Sequence, residues 1–458
     1  MYMIKDSALA NGNPEIRVII TSRSGTAKEQ VELIWDKVVP ALIDPLTEKE
    51  TQVYTYTPAN ERIIFEGTVD KAEEFFDSSF RVTAGMVHEY HDGLPIVLPT
   101  EDRVKEMLKG TSHKPDELLT LKYPRVVMNS MNQWIEREKG WPVEFSPMNW
   151  TATVERVAVN AVMAGCKPEY LPVVLAIAES GCPTRTTTFW GMWQVVSGPI
   201  ALEIGMNSGI GAFDPGNHAN ATIGRAMELM AINLGGAKAG FNRMNAIGNP
   251  INLGGACIAE AIDKLPDGWK GLNEEAGFGA EDSVVLCAYT PRGIIGNQFS
   301  PSSYRALQNN GTGGMAERLG VTGKPGPHNW LRYLMPGIYA NTFNSAHIFM
   351  TPRMAMDLYD YGFKTKEDVY KWWWENSFVP MSEYKKQGWY DFRTNGGENI
   401  ETTSGKKYKD LPDEYMIPLS GERPMDNMII VVGGEEEMSL QMLGDPMRSN
   451  IFHIDPWR

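Results

Sequence analysis

A chain of 458 residues is long enough for two or three domains and a large hydrophobic core. A net charge of −14, with no basic tract, argues against nucleic acid or an anionic membrane surface as partner. No apolar run could span a bilayer, and neither a signal-peptide pattern nor a metal-binding motif is present. Because the four cysteines lack CxxC spacing, we expect a cytoplasmic protein with free thiols at Cys166, Cys182, Cys257 and Cys287.

Residues 1–85 alternate between strand and helix patterns and predict a small α/β domain. The predicted elements are strands at 16–22, 51–57 and 61–67 and helices at 27–39, ending near Pro40, and at 70–76. Residues 86–125 follow as a predicted connector. It contains a turn at Asp92 and a helix at 101–108 that Thr100 can cap.

Two predicted helices surround Cys166 in the central domain, residues 126–345. The first covers 153–164, with a threonine cap at 151 or 153, and stops at Gly165, whereas Pro168 suits the first turn of the second. Cys166 is thus expected beside a helix N-terminus, where unpaired N–H groups and the helix dipole stabilise a thiolate. A buried structural thiol is the alternative interpretation.

A third helix is predicted at 221–234, with Asn217 or Asn220 as its cap. Arg225 lies one turn inside, so a carboxylate or phosphate at this helix end could meet both N–H groups and a guanidinium. Further along, residues 245–261 are expected to lead into another helix at Cys257, and 283–289 predict a strand that buries Cys287. The Gly/Pro-rich turn 323–330 presents His328 and Asn329.

The C-terminal region, residues 346–458, is expected to complete the core with helices and a late strand at 428–434. Its three consecutive tryptophans, Trp372, Trp373 and Trp374, cannot all face one side of a helix. Exposed apolar surface would then favour a homo-oligomer or a hetero-complex. The predicted fold class is α/β (mixed α+β): a small N-terminal α/β unit, a large central α/β domain and a C-terminal helical segment with a late strand.

Several of these stretches together resemble the long-chain part of the UGSC (seleno)protein family. They are DGLPIVLPTEDRVKEML, ATVERVAVNAVMAGCKPEYLPVVLAIAE, NSGIGAFDPGNHANATIGRA, GPHN and YGFKTKEDVYKWWWENSFVP, which span roughly residues 92–380. The resemblance implies a domain identity more than a reaction. Family members carry a Sec/Cys-Gly-Ser-Cys motif near the N-terminus, where this chain has SRSGT, and an arginine in place of His218. Either a companion subunit supplies that motif, or the chemistry here does not use it.

Three functions are compatible with these patterns. The first is an enzyme of lyase or hydratase type that uses acid–base or thiol chemistry on a small polar or anionic organic substrate. The second is the large subunit of a thiol or selenol redox enzyme whose partner carries the reactive motif, and the third is a non-catalytic binding or assembly protein. The sequence identifies no cofactor. The candidate catalytic residues are Cys166, His328 and Glu169, with Asp92 as an alternative carboxylate, and the candidate substrate-binding residues are Asn160, Asn207, Asn220, Arg225 and Asn329.

We expect the helix start near Asn220, the 165–168 junction and the 326–329 turn to converge on one pocket. Each places polar or titratable groups on a tight turn at the end of a regular element. The alternative is that each turn only caps its own helix.

Overall fold

The computed structural model describes residues 17, 19, 26–51, 62–82, 86–128, 134–182, 191–237, 243, 254–290, 301–302, 326, 328, 345–386, 390–419, 421–436, 439–444 and 450–458. These residues form a mixed α/β fold, which confirms the predicted class. The α-helices are α1 (Ala27–Ile43), α2 (Glu48–Thr51), α3 (Val69–Ser78), α4 (Glu101–Met107), α5 (Val154–Ala164), α6 (Leu171–Ala178), α7 (Pro199–Glu203), α8 (His218–Asn233), α9 (Leu272–Glu275), α10 (Pro352–Tyr361), α11 (Lys366–Glu375), α12 (Met381–Tyr384) and α13 (Tyr390–Thr394).

Two four-stranded sheets form the centre of the fold. The strands are β1 (Phe80–Val82), β2 (Met86–His88), β3 (Arg125–Met128), β4 (Trp134–Arg137), β5 (Gly191–Ser197), β6 (Ala256–Ala259), β7 (Val284–Thr290), β8 (Pro301–Ser302), β9 (Ser345–Met350), β10 (Phe378–Pro380), β11 (Met416–Pro418), β12 (Met428–Val431), β13 (Ser439–Gly444) and β14 (Ile451–His453). The first sheet has the order β14-β7-β5-β6 and the second β12-β9-β13-β8. Pairing is parallel for β5 with β6 and for β12 with β9, and antiparallel elsewhere in both sheets.

Alternate side chains of β5 enter different hydrophobic cores, as the two-residue period of a strand requires. Trp193 and Val195 pack with Phe349 of the second sheet. Met192 and Val196 point the other way, into a core built with α5, α6 and α8. The first sheet therefore has the second sheet on one face and three helices on the other.

The second sheet is covered in the same manner. Phe349 of β9 faces the first sheet, whereas its neighbours Ile348 and Met350 pack against α10 and α11. The layers therefore follow the order helices, first sheet, second sheet, helices. Because both faces of both sheets are covered, their strands are mostly apolar, as the run of four buried residues in β12 illustrates.

Glycine permits a close contact between α8 and the first sheet. A Cβ at Gly224 would lie 3.1 Å from the backbone nitrogens of Ala256 and Cys257. A side chain here would press on that backbone, so glycine lets the helix lie directly on the start of β6. This contact fixes which face of α8 points into the layer between helices and sheet.

Several predicted elements need correction. Residues 256–259 are a strand and not part of a helix, because they pair with β5 and so complete the first sheet. No strand forms at 62–67, where the backbone is irregular and bends at three residues. Helix α1 continues past Pro40 to Ile43, since the Pro40 carbonyl accepts a bond from the N–H of Asp44 in the closing turn.

The predicted strands at 16–22 and 51–57 lie outside the described residues, apart from Arg17, Ile19 and Thr51. The three boundaries between the four predicted segments stay predictions. Contacts do cross them: β14, from the C-terminal region, pairs with β7 of the central domain. Among the described helices, none has the length and apolar composition needed to cross a membrane.

Candidate functional site

The structure favours the alternative interpretation of Cys166, a buried structural thiol, over a thiolate. Gly165 ends α5 in the left-handed region with φ of 89°, as predicted, but only a single 3-10 turn, Pro168–Tyr170, follows before α6. Cys166 is 9% exposed, and burial raises the pKa of its thiol to about 12, against a smaller lowering effect of a hydrogen bond with Thr222. Loss of hydration outweighs the helix dipole here because the thiol faces the core.

Arg225 and Asp92 meet in a two-pronged ion pair. The Arg225 Nε and Nη2 atoms donate to the two Asp92 carboxylate oxygens, both at 2.9 Å, and Nη2 also donates to the Leu94 carbonyl. The predicted site residues Arg225 and Asp92 therefore lie together, but the charge of each is balanced by the other. The pair ties α8 to the segment before α4.

The asparagines at the start of α8 fold the preceding loop. The Asn217 side chain caps α8 by accepting from the Asn220 N–H at 2.8 Å. Asn220 in turn accepts from the Asn207 N–H and donates to the Asn207 carbonyl, at 3.0 and 2.9 Å. Asn207 holds Ile210 and Gly209 through its own amide. The side-chain amides of Asn207 and Asn220 therefore bind backbone groups, and their substrate-binding roles stay predictions.

The positions of Asn160 and Glu169 do not indicate a shared substrate site either. Asn160 is 2% exposed, donates to the Arg156 carbonyl and accepts from the Asn233 amide at 2.8 Å, so it joins α5 to α8. Glu169 is exposed on the 3-10 turn after Cys166. Their predicted roles therefore gain no support from these positions.

His328 is exposed, and its ring lies 5.9 Å from that of Tyr361 at the end of α10. Asn329 lies outside the described residues. The junction at Cys166 does meet α8, through Thr222, so two of the three predicted turns adjoin. Among the described residues, no contact joins His328 to Cys166 or Arg225, and a single pocket for all three stays a prediction.

A different group of residues, which sequence reasoning missed, lies between the first sheet and its helices. The strand register places Gln194 beside Cys257 on one side and Cys287 on the other. Gln194 is 1% exposed, and neither its Oε1 nor its Nε2 atom has a hydrogen-bond partner within the described structure. Buried amides almost always have partners, so this one requires an explanation.

Glu228 projects into the same layer from α8, one turn after Gly224. Its side chain is 3% exposed; Oε2 accepts from Arg243 Nη1 at 3.2 Å, and Oε1 has no partner among the described residues. Burial raises the pKa of the Glu228 carboxyl, only partly offset by the positive charge of Arg243. The acid is therefore biased toward its protonated form.

Cys182 links these groups. It is fully buried and has φ of 44°, a left-handed conformation that is costly for a residue with a side chain. Burial raises the pKa of its thiol, and the charges of Cys287 and Glu228 raise that pKa further, while Ser180 shares hydrogen bonds with the thiols of both Cys182 and Cys287. We call the six residues Cys182, Gln194, Glu228, Arg243, Cys257 and Cys287 the buried polar layer.

Two sequence signals could have drawn attention to this layer. Gln194 interrupts the apolar run MWQVV, and Glu228 interrupts the apolar run of α8 between Met227 and Leu229. Neither signal says that the two residues share a layer, because that depends on strand register and helix placement.

Comparison of the chain with protein-family models, curated proteins and solved structures found no match.

Proposed function

We propose that this protein is an enzyme that transfers protons to and from a small polar organic substrate at the buried polar layer, as a lyase or hydratase does. One observation carries the proposal: Gln194 and Glu228 together hold three buried polar atoms without hydrogen-bond partners among the described residues. Each such atom costs about 1–3 kcal/mol of stability. A substrate with complementary donors and acceptors would satisfy them.

The two residues suit different tasks. A carboxyl group whose pKa is raised by burial can act as a general acid and, once deprotonated, as a base near neutral pH. The Gln194 amide offers one acceptor and two donor hydrogens on a rigid strand, which suits orientation of a hydroxyl, carbonyl or carboxyl group. Arg243, beside Glu228, adds positive charge that favours an anionic substrate.

Thiol chemistry is less well supported. Burial raises the pKa of all four thiols, so the reactive thiolate is disfavoured in each. For this reason we favour acid–base chemistry over thiol chemistry at this chain's own cysteines. The resemblance to the UGSC family, and a companion subunit with its motif, stay proposals that rest on the quoted sequence stretches.

Deuterium exchange with a panel of compounds tests the proposal and can also identify the substrate class. The protein is incubated in D2O with small hydroxy- and keto-carboxylic acids, and loss of carbon-bound hydrogen is followed by proton NMR. We expect exchange with at least one compound, and a loss of about 10²–10⁴-fold in Glu228→Gln, since that is the typical contribution of a general acid–base.

Glu367→Gln is the matched control, because it removes the same charge from an exposed position on α11. It should exchange at the wild-type rate. Gln194→Met, which keeps the side-chain length without polar atoms, should lose exchange but resist denaturant at least as well as wild type. A wild type that exchanges no compound, or a fully active Glu228→Gln, would contradict the proposal.

A further inference from the structure

A second cluster of titratable groups lies apart from the buried polar layer, where β14 meets the start of β7. Asp282 precedes β7, His453 ends β14 opposite Val284, and Asp455 follows two residues later. One ligand atom from each residue lies within 4.8 Å of the others. Among the described residues this is the group whose donor atoms are close enough to share a metal ion.

The distances fit tetrahedral coordination. His453 Nε2 is 3.2 Å from an Asp455 oxygen and 3.7 Å from an Asp282 oxygen. Zn²⁺ bonds to nitrogen and oxygen are about 2.1 Å, so neighbouring ligands of a tetrahedral ion lie about 3.4 Å apart. All three ligand atoms lie within 4.8 Å of one another, so one ion could contact all of them.

The His453 ring is held so that Nε2 faces the two carboxylates. Its other nitrogen, Nδ1, lies 2.8 Å from the Tyr123 hydroxyl, and Phe278 packs against the ring at 4.7 Å. A hydrogen bond to the non-ligating nitrogen is the arrangement that orients histidine ligands in metal sites. The imidazole is thus positioned before any ion arrives.

The carboxylates retain capacity for an ion. Asp455 uses one oxygen for Arg458 Nε and the other for the Ser283 N–H and His453. Asp282 accepts from the Gly279 N–H through Oδ2, while Oδ1 faces His453. The Asp282 side chain is 41% exposed, so water can complete the coordination.

We propose that Asp282, His453 and Asp455 form a binding site for a divalent transition-metal ion of the Zn²⁺ type. One imidazole and two carboxylates match the ligand preferences of such ions better than those of Mg²⁺ or Ca²⁺, which favour oxygen alone. The ion would join His453 and Asp455 to Asp282, which lies just before β7. The site is independent of the proposed acid–base function.

Isothermal titration of Zn²⁺ into chelator-treated full-length protein tests the site, and we expect one equivalent to bind. Thermal denaturation should show a melting temperature that rises with the Zn²⁺ concentration. His453→Gln and Asp282→Asn should each weaken binding by more than about 10-fold. Tyr123→Phe should weaken it by about 10-fold, as loss of an orienting partner does.

Glu281→Gln is the control, because it removes one negative charge beside Asp282 without removing a ligand. It should bind Zn²⁺ as wild type does. Since the Asp282 side chain is partly open to solvent, Asp282→Asn should keep the wild-type circular dichroism even if His453→Gln does not. Absence of Zn²⁺ binding, or unchanged binding in a folded Asp282→Asn variant, would overturn the proposal.

Discussion

At the scale of single residues, burial decides the properties of the thiols. The sequence places Cys166 after a helix stop and before a proline, and this local arrangement is present. What the sequence does not reveal is that the thiol faces the core and that the helical segment from Pro168 opens with a 3-10 turn before α6. Desolvation is a property of the whole fold, so a local motif cannot predict it.

The cysteines therefore should react slowly in the native protein. The pKa of both Cys166 and Cys287 is raised to about 12, so near neutral pH their thiolate fraction is on the order of 10³ lower than that of an unperturbed cysteine. We expect slow alkylation by iodoacetamide at pH 8 and a rate that keeps rising toward alkaline pH. Peptide mapping by mass spectrometry measures each site. A fast reaction of Cys166 at pH 7 would contradict this prediction and restore the thiol to the candidate site.

At the scale of elements, local signals predict helices better than they predict the site. Gly165, Gly362 and the cap residue Thr365 all end or begin helices as their residue types favour. These contacts form within a few residues of chain. By contrast, the row formed by Cys257, Gln194 and Cys287 requires three strands that are far apart in sequence to pair in one register.

Two helix starts offer a matched test of capping. Asn217 accepts a bond from the Asn220 N–H at α8, whereas Thr153 holds the equivalent position at α5 without a side-chain cap bond. We expect Asn217→Ala to lower the free energy of unfolding by about 1–2 kcal/mol and Thr153→Ala by less than about 0.5 kcal/mol. Urea denaturation followed by circular dichroism measures both. Equal losses would show that the side-chain bond at Asn217 contributes little.

At the scale of the whole molecule, tertiary packing removes the argument for an oligomer. Trp373 is fully buried, Trp374 donates to the Gly421 carbonyl and packs on Phe378, and Trp372 lies against Phe363. None of the three tryptophans is an exposed hydrophobic residue. The layer order explains why sequence reasoning missed this: a helix that borders both a sheet and folded loops can bury more than one face. An oligomer stays a prediction without that support.

A buried ion pair joins the two halves of the layered fold. Lys366 starts α11 over the second sheet, and its Nζ atom lies 2.7 Å from Glu260, which follows β6 of the first sheet. The two side chains are 2% and 0% exposed. Glu260 also accepts from the Ser197 hydroxyl and the Leu272 N–H, and Lys366 lies 3.5 Å from Glu275. Removal of the Lys366 cation would leave the carboxylates of Glu260 and Glu275 in the core without its positive charge.

We expect Lys366→Met to lower the free energy of unfolding by about 3–5 kcal/mol, because a buried charge that loses its partner is strongly destabilising. Adding Glu260→Gln should recover part of the loss, since the double variant buries one charge fewer. Lys371→Met is the control on the same helix: its ion pair with Glu375 is exposed and should contribute less than about 1 kcal/mol. Guanidinium denaturation followed by both tryptophan fluorescence and circular dichroism measures these values. Coincident shifts in both signals would indicate that the sheets unfold together, whereas wild-type stability of Lys366→Met would show that the pair does not hold the layers together.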